Sequence, residues 1–277
     1  MENSFFNNNI SNELKKKYGE FDLITANNVC AHVDDLFDFI KGVKNLLKKK
    51  GVFIFEVGYF KDVLKNKTFD TIYHEHLDYH LFVPLINFFN KFGMEIFDVK
   101  NIFIQGGSLR VYVSNINQQI KTRNLDKMIE NEKKINFSDK KIYLKYQAYI
   151  NKIKYTLTKK IKFLKSKKYK IAGYGASAKS TTLLNYFNIK NKDLDFIADL
   201  NKLKHNRYTP GSNIKILPPK NIYSDNVDYL LILSWNFSKE IIKQNINFLE
   251  RGGKFIIPFP KIIIVSIKNY KMVIKNL

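Results

Sequence analysis

The chain has 277 residues, 45% of them hydrophobic and 14% aromatic, enough for two domains with their own cores and too apolar for wholesale disorder. Its formal charge of +22 comes from lysines spread along the whole chain, with no RNP, zinc-finger or helix-turn-helix pattern, so nucleic acid is set aside as a partner and anionic small molecules are favoured. The single cysteine excludes an intramolecular disulfide framework and a multi-cysteine zinc site.

The start, Met-Glu-Asn-Ser-Phe-Phe, is polar and carries no signal-peptide pattern, and the apolar run Lys261 to Ile267 is far shorter than the ~20 residues that span a bilayer. A cytoplasmic protein without a membrane partner is the expectation. Phe21 to Val29 predicts a buried strand running into a polar turn. Leu36 to Lys49 carries a helical apolar stripe, with Asp34 and Asp35 at its start, three lysines at its end and Gly51 as a stop. Val52 to Val57 is a second strand. Strand, helix and strand with short connections predict a parallel pair joined by a crossover helix.

The segment Tyr73-His-Glu-His-Leu-Asp-Tyr-His80 holds three of the five histidines, two carboxylates and two phenols. A histidine, with an unperturbed pKa near ~6.5, exchanges a proton at cellular pH, and a carboxylate beside it orients the ring. That is the equipment of a proton-abstraction site. A solvated polar loop is the bland alternative. A metal site is the weaker one, because Asp78 stands where a His-Glu-x-x-His motif needs its second histidine.

Val83 to Phe92 predicts a short amphipathic helix stopped by Gly93. Strands follow at Met94 to Val99 and Ser108 to Ser114, joined by a loop with Gly106-Gly107. Residues 121–168 lack Gly and Pro and predict one or two long helices connecting two domains. A second α/β unit begins at Lys170: a strand, the turn Gly173-Tyr-Gly-Ala-Ser-Ala178, and a helix over Ser180 to Phe187. Such a turn suits either an anion at the helix N-terminus or tight strand–helix packing. Asp195 to Asp199 and Asp228 to Ser234 predict further strands, Ser238 to Leu249 a helix, and Lys254 to Pro258 a final strand.

Six segments in order carry a resemblance: Asn27-Asn-Val-Cys-Ala-His32, Tyr73-His-Glu-His76, Gly106-Gly-Ser-Leu-Arg110, Gly173-Tyr-Gly-Ala-Ser-Ala-Lys179, Asn206-Arg-Tyr-Thr-Pro-Gly211 and Ser234-Trp-Asn-Phe237. The chain resembles the S-adenosylmethionine-dependent C-methyltransferases of the dTDP-sugar C-3 type. The resemblance implies an α/β fold class: a partial class I methyltransferase Rossmann-like sheet, a helical connector and a second Rossmann-like α/β domain. The corresponding boundaries are 1–117, 118–168 and 169–277. The family's cysteine-rich zinc domain and the first strands of its methyltransferase sheet, with their glycine loop, find no match here, so an N-terminally truncated enzyme, inactive by itself, is the expectation.

The implied reaction moves a methyl group from S-adenosylmethionine to C3 of a nucleotide-linked 4-keto-deoxysugar through an enolate. The resemblance makes His76 the base, Glu75 its orienting partner, Tyr73 a hydrogen-bonding group and His32 a member of the same cleft. It places Asn28 near the cofactor, and Gly173, Gly175, Lys179, Arg207 and Arg110 at the nucleotide-sugar, Arg being suited to bidentate phosphate recognition. No metal is assigned. Two alternatives remain: a non-catalytic nucleotide-sugar-binding half that works with a separate N-terminal chain, and an NAD enzyme built on the glycine turn, for which Asp199 is the one acidic residue near the required offset.

Overall fold

The structure is a computed structural model that describes residues 2–103 and 106–277. The chain divides into two units, Met1–Asn66 with His74–Lys140, and Lys67–Tyr73 with Lys141–Leu277.

In the first unit helix α1 (Asn8–Tyr18) precedes strand β1 (Phe21–Asn27), helix α2 (Leu36–Leu46) and strand β2 (Leu47–Gly58). β1 and β2 are parallel, so the strand–helix–strand expectation holds. The helix is shorter than its stripe suggests. Leu47 pairs with Phe21 and is buried, and the lysines at 48–50 continue as strand, not helix. Gly51 is therefore not a stop but the inside of a bulge, where a Cβ would lie 2.9 Å from the Phe21 carbonyl oxygen. Helices α3 (Phe60–Asn66) and α4 (Phe82–Asn90) follow, then strands β3 (Met94–Ile102) and β4 (Ser108–Asn115) and helix α5 (Arg123–Lys133). The sheet order is β1-β2-β4-β3, with β2, β4 and β3 antiparallel, and β1 is an edge. Phe39, Val43, Phe53, Phe55, Phe89 and Val111 make the centre of its core, to which Leu125 of α5 adds.

The second unit holds helix α6 (Lys140–Ser166), strand β5 (Ile171–Tyr174), helix α7 (Ala178–Phe187) and the two-residue strands β6 (Ile197–Ala198) and β7 (Ile216–Leu217). Next come α8 (Asn221–Ser224), β8 (Tyr229–Ile232), α9 (Ser238–Gln244), α10 (Ile246–Glu250), β9 (Lys254–Ile257), β10 (Ile263–Val265) and α11 (Tyr270–Asn276). The strand order β10-β9-β8-β5-β6-β7 is the doubly wound order 3-2-1-4-5-6 read from β7. Two expectations are corrected. The helix over Ser238 to Leu249 breaks at Asn245, whose buried side chain donates to the Ile241 carbonyl at 2.8 Å and so competes with the helical bond. Lys254 to Pro258 is not the last strand, because Ile263–Val265 turns back antiparallel onto it.

The helical stretch 118–168 is divided: α5 packs into the first core, whereas Ile150, Ile153, Leu157, Ile161 and Leu164 of α6 pack into the second. The short segment Lys67–Tyr73 also belongs to the second unit. Its Phe69 stacks on Phe187 with ring centres 5.3 Å apart.

Candidate active site

β1 ends in a turn at Asn28, which takes φ 54° in the left-handed region that asparagine tolerates. Its N–H donates to the Glu56 carbonyl at 3.0 Å, which keeps the turn at the carboxyl end of the parallel pair. The chain then passes Cys30, buried in the core, and reaches the exposed His32. Two bonds tie this loop to the histidine segment. The Leu77 N–H donates to the Ala31 carbonyl at 2.8 Å, and Nδ1 of His32 lies 2.7 Å from the Glu75 carbonyl oxygen. A carbonyl only accepts, so the proton of a neutral His32 sits on Nδ1 and its Nε2 keeps a lone pair. The rings of His32 and His76 lie 4.9 Å apart, and Tyr79 stands edge-on to His76 at 6.3 Å.

Of the predicted catalytic residues, His32, Glu75 and His76 thus come together in the first unit. The carboxylate of Glu75 lies 3.9 Å from Nε2 of His74, and its main-chain oxygen is the group that faces His32. Tyr73 is the last residue of the segment that belongs to the second unit. His80, at the other end of the cluster, is buried and kept toward its neutral form by burial, with Nε2 lacking a hydrogen-bond partner among the described residues. Its carbonyl accepts from the Phe60 N–H at 3.0 Å, so this histidine fastens the segment to the core. Among the described residues no three His, Cys, Asp or Glu side chains converge on a metal position.

A buried carboxylate that motif reading missed supports this segment. Glu132 of α5 accepts from the Tyr59 hydroxyl at 2.8 Å and from the N–H groups of Phe82 and Val83 at 2.7 and 2.9 Å, satisfying two orphan donors at the start of α4. Its signal in the sequence is an acid on the apolar stripe Leu125, Met128, Ile129 and Glu132. Arg110 lies in the first unit on β4, directly across from Glu56, and its Nε donates to that carboxylate at 2.5 Å. Gly107, at φ 122°, lets the chain pass Asp62, whose side chain a Cβ would meet at 2.4 Å.

In the second unit the glycine turn follows β5. Gly175 has φ 94°, and a Cβ there would lie 2.1 Å from the Ser234 hydroxyl. Gly173 is closely covered by Leu233 and Ile197, so both glycines serve packing whatever else they do. Asp199, at the end of β6, accepts from the Ala176 and Asn201 N–H groups at 2.6 and 2.8 Å. A cleft of about 370 Å³ opens at this carboxyl edge, lined by Tyr174, Gly175, Asp199, Ser234, Phe237 and Glu240, where the strand order of such a sheet reverses. Lys179 stands in the first turn of α7, and Arg207 is exposed on a loop whose carbonyl accepts from the Ile216 N–H at 2.8 Å. A second omission is Asp70, buried beside Trp235 with no motif to mark it.

The profile of the C-methyltransferase C-terminal domain matches residues 103–260, and that of a methyltransferase domain matches residues 4–55. The C-methyltransferase NovU of Streptomyces niveus is 29% identical over 265 residues, which is 95% of this chain. The chain spans 63% of that relative's length.

Proposed function

We propose, from the premise that this chain belongs to the C-methyltransferase family, that it takes part in transferring a methyl group from S-adenosylmethionine to C3 of a nucleotide-linked 4-keto-deoxysugar. The observation that carries the reading is the contact of His76 with His32 at the carboxyl end of β1. The C4 carbonyl of such a sugar acidifies the C3 proton, and one base within reach suffices to form the enolate. His76 removes that proton. His32, held by the Glu75 carbonyl with Nε2 available, faces the same space, and Tyr79 walls it. Gly173, Gly175, Lys179 and the cleft beside them hold the nucleotide.

Asn28 is exposed, and among the described residues β1 beside it pairs only with β2, so that its outer edge is unpaired there and Leu23 on it is 56% exposed. This open edge favours a second reading, a nucleotide-sugar-binding half that works with a separate chain carrying the donor site.

Exchange of the C3 hydrogen of dTDP-4-keto-6-deoxyglucose for deuterium tests the base without methyl transfer. With a donor-binding chain added, His76→Ala should slow exchange and turnover by about 10²-fold or more while leaving substrate affinity nearly unchanged. Exchange at the wild-type rate in that variant would remove His76 from the mechanism.

A further inference from the structure

The lining of the cleft in the second unit is selective in its chemistry. Among the described residues it holds two carboxylates, Asp199 and Glu240, and no lysine or arginine. Such a space repels the diphosphate of a nucleotide and favours a ligand portion that is uncharged and rich in donors. Its volume of about 370 Å³ lies at the small end of ligand sites, which run from ~300 to ~1,000 Å³, and suits one nucleoside.

Asp199 is fixed there as an acceptor. It follows β6, the strand that pairs parallel with β5, and the turn after β5 is tied to it. The Gly175 N–H donates to the Ala198 carbonyl at 2.8 Å, and the Ala176 N–H donates to Oδ2 of Asp199 at 2.6 Å. Oδ1 accepts from the Asn201 N–H at 2.8 Å. Lys204 lies 3.9 Å from Oδ2, with its Nζ donating to the Ala176 carbonyl at 2.7 Å. A carboxylate offers about four lone-pair positions, so roughly two are left. The residue is otherwise buried and lines the cleft, so the cleft is where they open. Two acceptor oxygens on one rigid plane match the two hydroxyls of a vicinal diol. In a sheet of this order, the acid that ends the second strand is where ribose hydroxyls are held. Phe237 and Leu200 line the same cleft 55% and 68% exposed, apolar faces that a flat base would cover.

We propose that the cleft binds the nucleoside of a ribonucleoside diphosphate, with Asp199 accepting from both hydroxyls of the ribose diol and Phe237 lying against the base. The diphosphate stays outside the space lined by the carboxylates. The inference rests on the reading of this cleft as the nucleotide site and names the ligand's class: a ribonucleotide, linked to a sugar or forming part of an adenosine dinucleotide. A 2′-deoxynucleotide keeps one of the two bonds and binds more weakly.

Calorimetry of the whole chain with UDP-glucose and its 2′-deoxy counterpart dUDP-glucose tests it, because the pair differs in one hydroxyl alone. Wild type should favour the ribonucleotide about tenfold or more, the weight of one hydrogen bond to a charged acceptor. Asp199→Asn exchanges an acceptor oxygen for a donor and should bring the ratio close to one. Phe237→Ala, at an exposed position, should weaken both ligands about tenfold and leave the ratio intact. ADP-ribose separates the two sources: tighter binding of UDP-glucose supports a nucleotide-linked sugar, and tighter binding of ADP-ribose supports a dinucleotide at the same diol site. Equal wild-type affinities for UDP-glucose and dUDP-glucose, a comparison that needs no variant, overturn the diol and leave the nucleotide reading standing. Absence of binding by every one of these ligands and by dTDP-glucose overturns the nucleotide reading, and this proposal with it.

Discussion

Glu132→Ala is the sharpest test of how the histidine segment is held. Glu132 is 3% exposed, and its two oxygens receive three donors: the Tyr59 hydroxyl and the Phe82 and Val83 N–H groups. Truncation leaves all three in a site where water has little access. A hydrogen bond to a charged acceptor contributes about 1.5–3 kcal/mol, and a stranded buried donor costs about 1–3 kcal/mol. Partial relaxation and entry of one water offset some of this, so a loss of about 3–5 kcal/mol is expected for the first unit. Tyr59→Phe removes one donor together with its need for a partner and should cost about 1 kcal/mol. The double variant should then be less destabilised than the sum of the two, because the stranded hydroxyl is gone. Urea unfolding followed by far-UV circular dichroism measures the total. Amide hydrogen exchange at Phe82 to Phe89 reports whether α4 frays first, as loss of its N-terminal acceptor requires. A cost of Glu132→Ala below about 1 kcal/mol, or unchanged protection of Phe82 and Val83, would refute the hub.

Gly175→Ala should destabilise the second unit by about 2 kcal/mol or more, because the residue has φ 94° and its new methyl would meet Ser234; adding Ser234→Ala should recover only part, the backbone strain remaining. A full recovery would locate the whole cost in the side-chain clash. The chain by itself should show no saturable S-adenosylmethionine binding by calorimetry, given the open edge of β1 beside Asn28; micromolar affinity would contradict this. Asp70 has its acid raised from the ordinary 3.8 to about 6 in the folded state. Its contribution to stability is therefore complete below about pH 4 and lost as pH rises through about 6, at most about 3 kcal/mol in all. Urea unfolding followed by the fluorescence of the single tryptophan, Trp235, should show this downward slope between about pH 4 and pH 6 in wild type and not in Asp70→Asn; equal slopes would refute the assignment.

Local pattern in this chain carries its elements well. The strand–helix–strand run from Phe21 to Val57 and the strand–glycine turn–helix run from Ile171 to Phe187 are both legible, because a period of 3.6 or 2 and a residue free to take φ 94° are properties of neighbours in sequence. The grouping of His74, His76 and His80 is equally plain as residues close in the chain, yet tertiary structure gives them different roles: His76 meets His32, whereas His80 is buried and anchors the segment. Element ends were decided by pairing. Leu47 to Lys49 continues a helical stripe in sequence but joins the strand, because β1 is available to pair with it. The segment Lys67–Tyr73 has no period that assigns it to the second unit; Phe69 and Asp70 go there because Phe187, Phe259 and Trp235, more than a hundred residues later, provide the apolar wall and the hydrogen bond. Periodicity states that a face will be buried. What it is buried against, and which buried charge finds its partner there, depends on contacts between residues far apart in the chain, and only the folded chain brings those together.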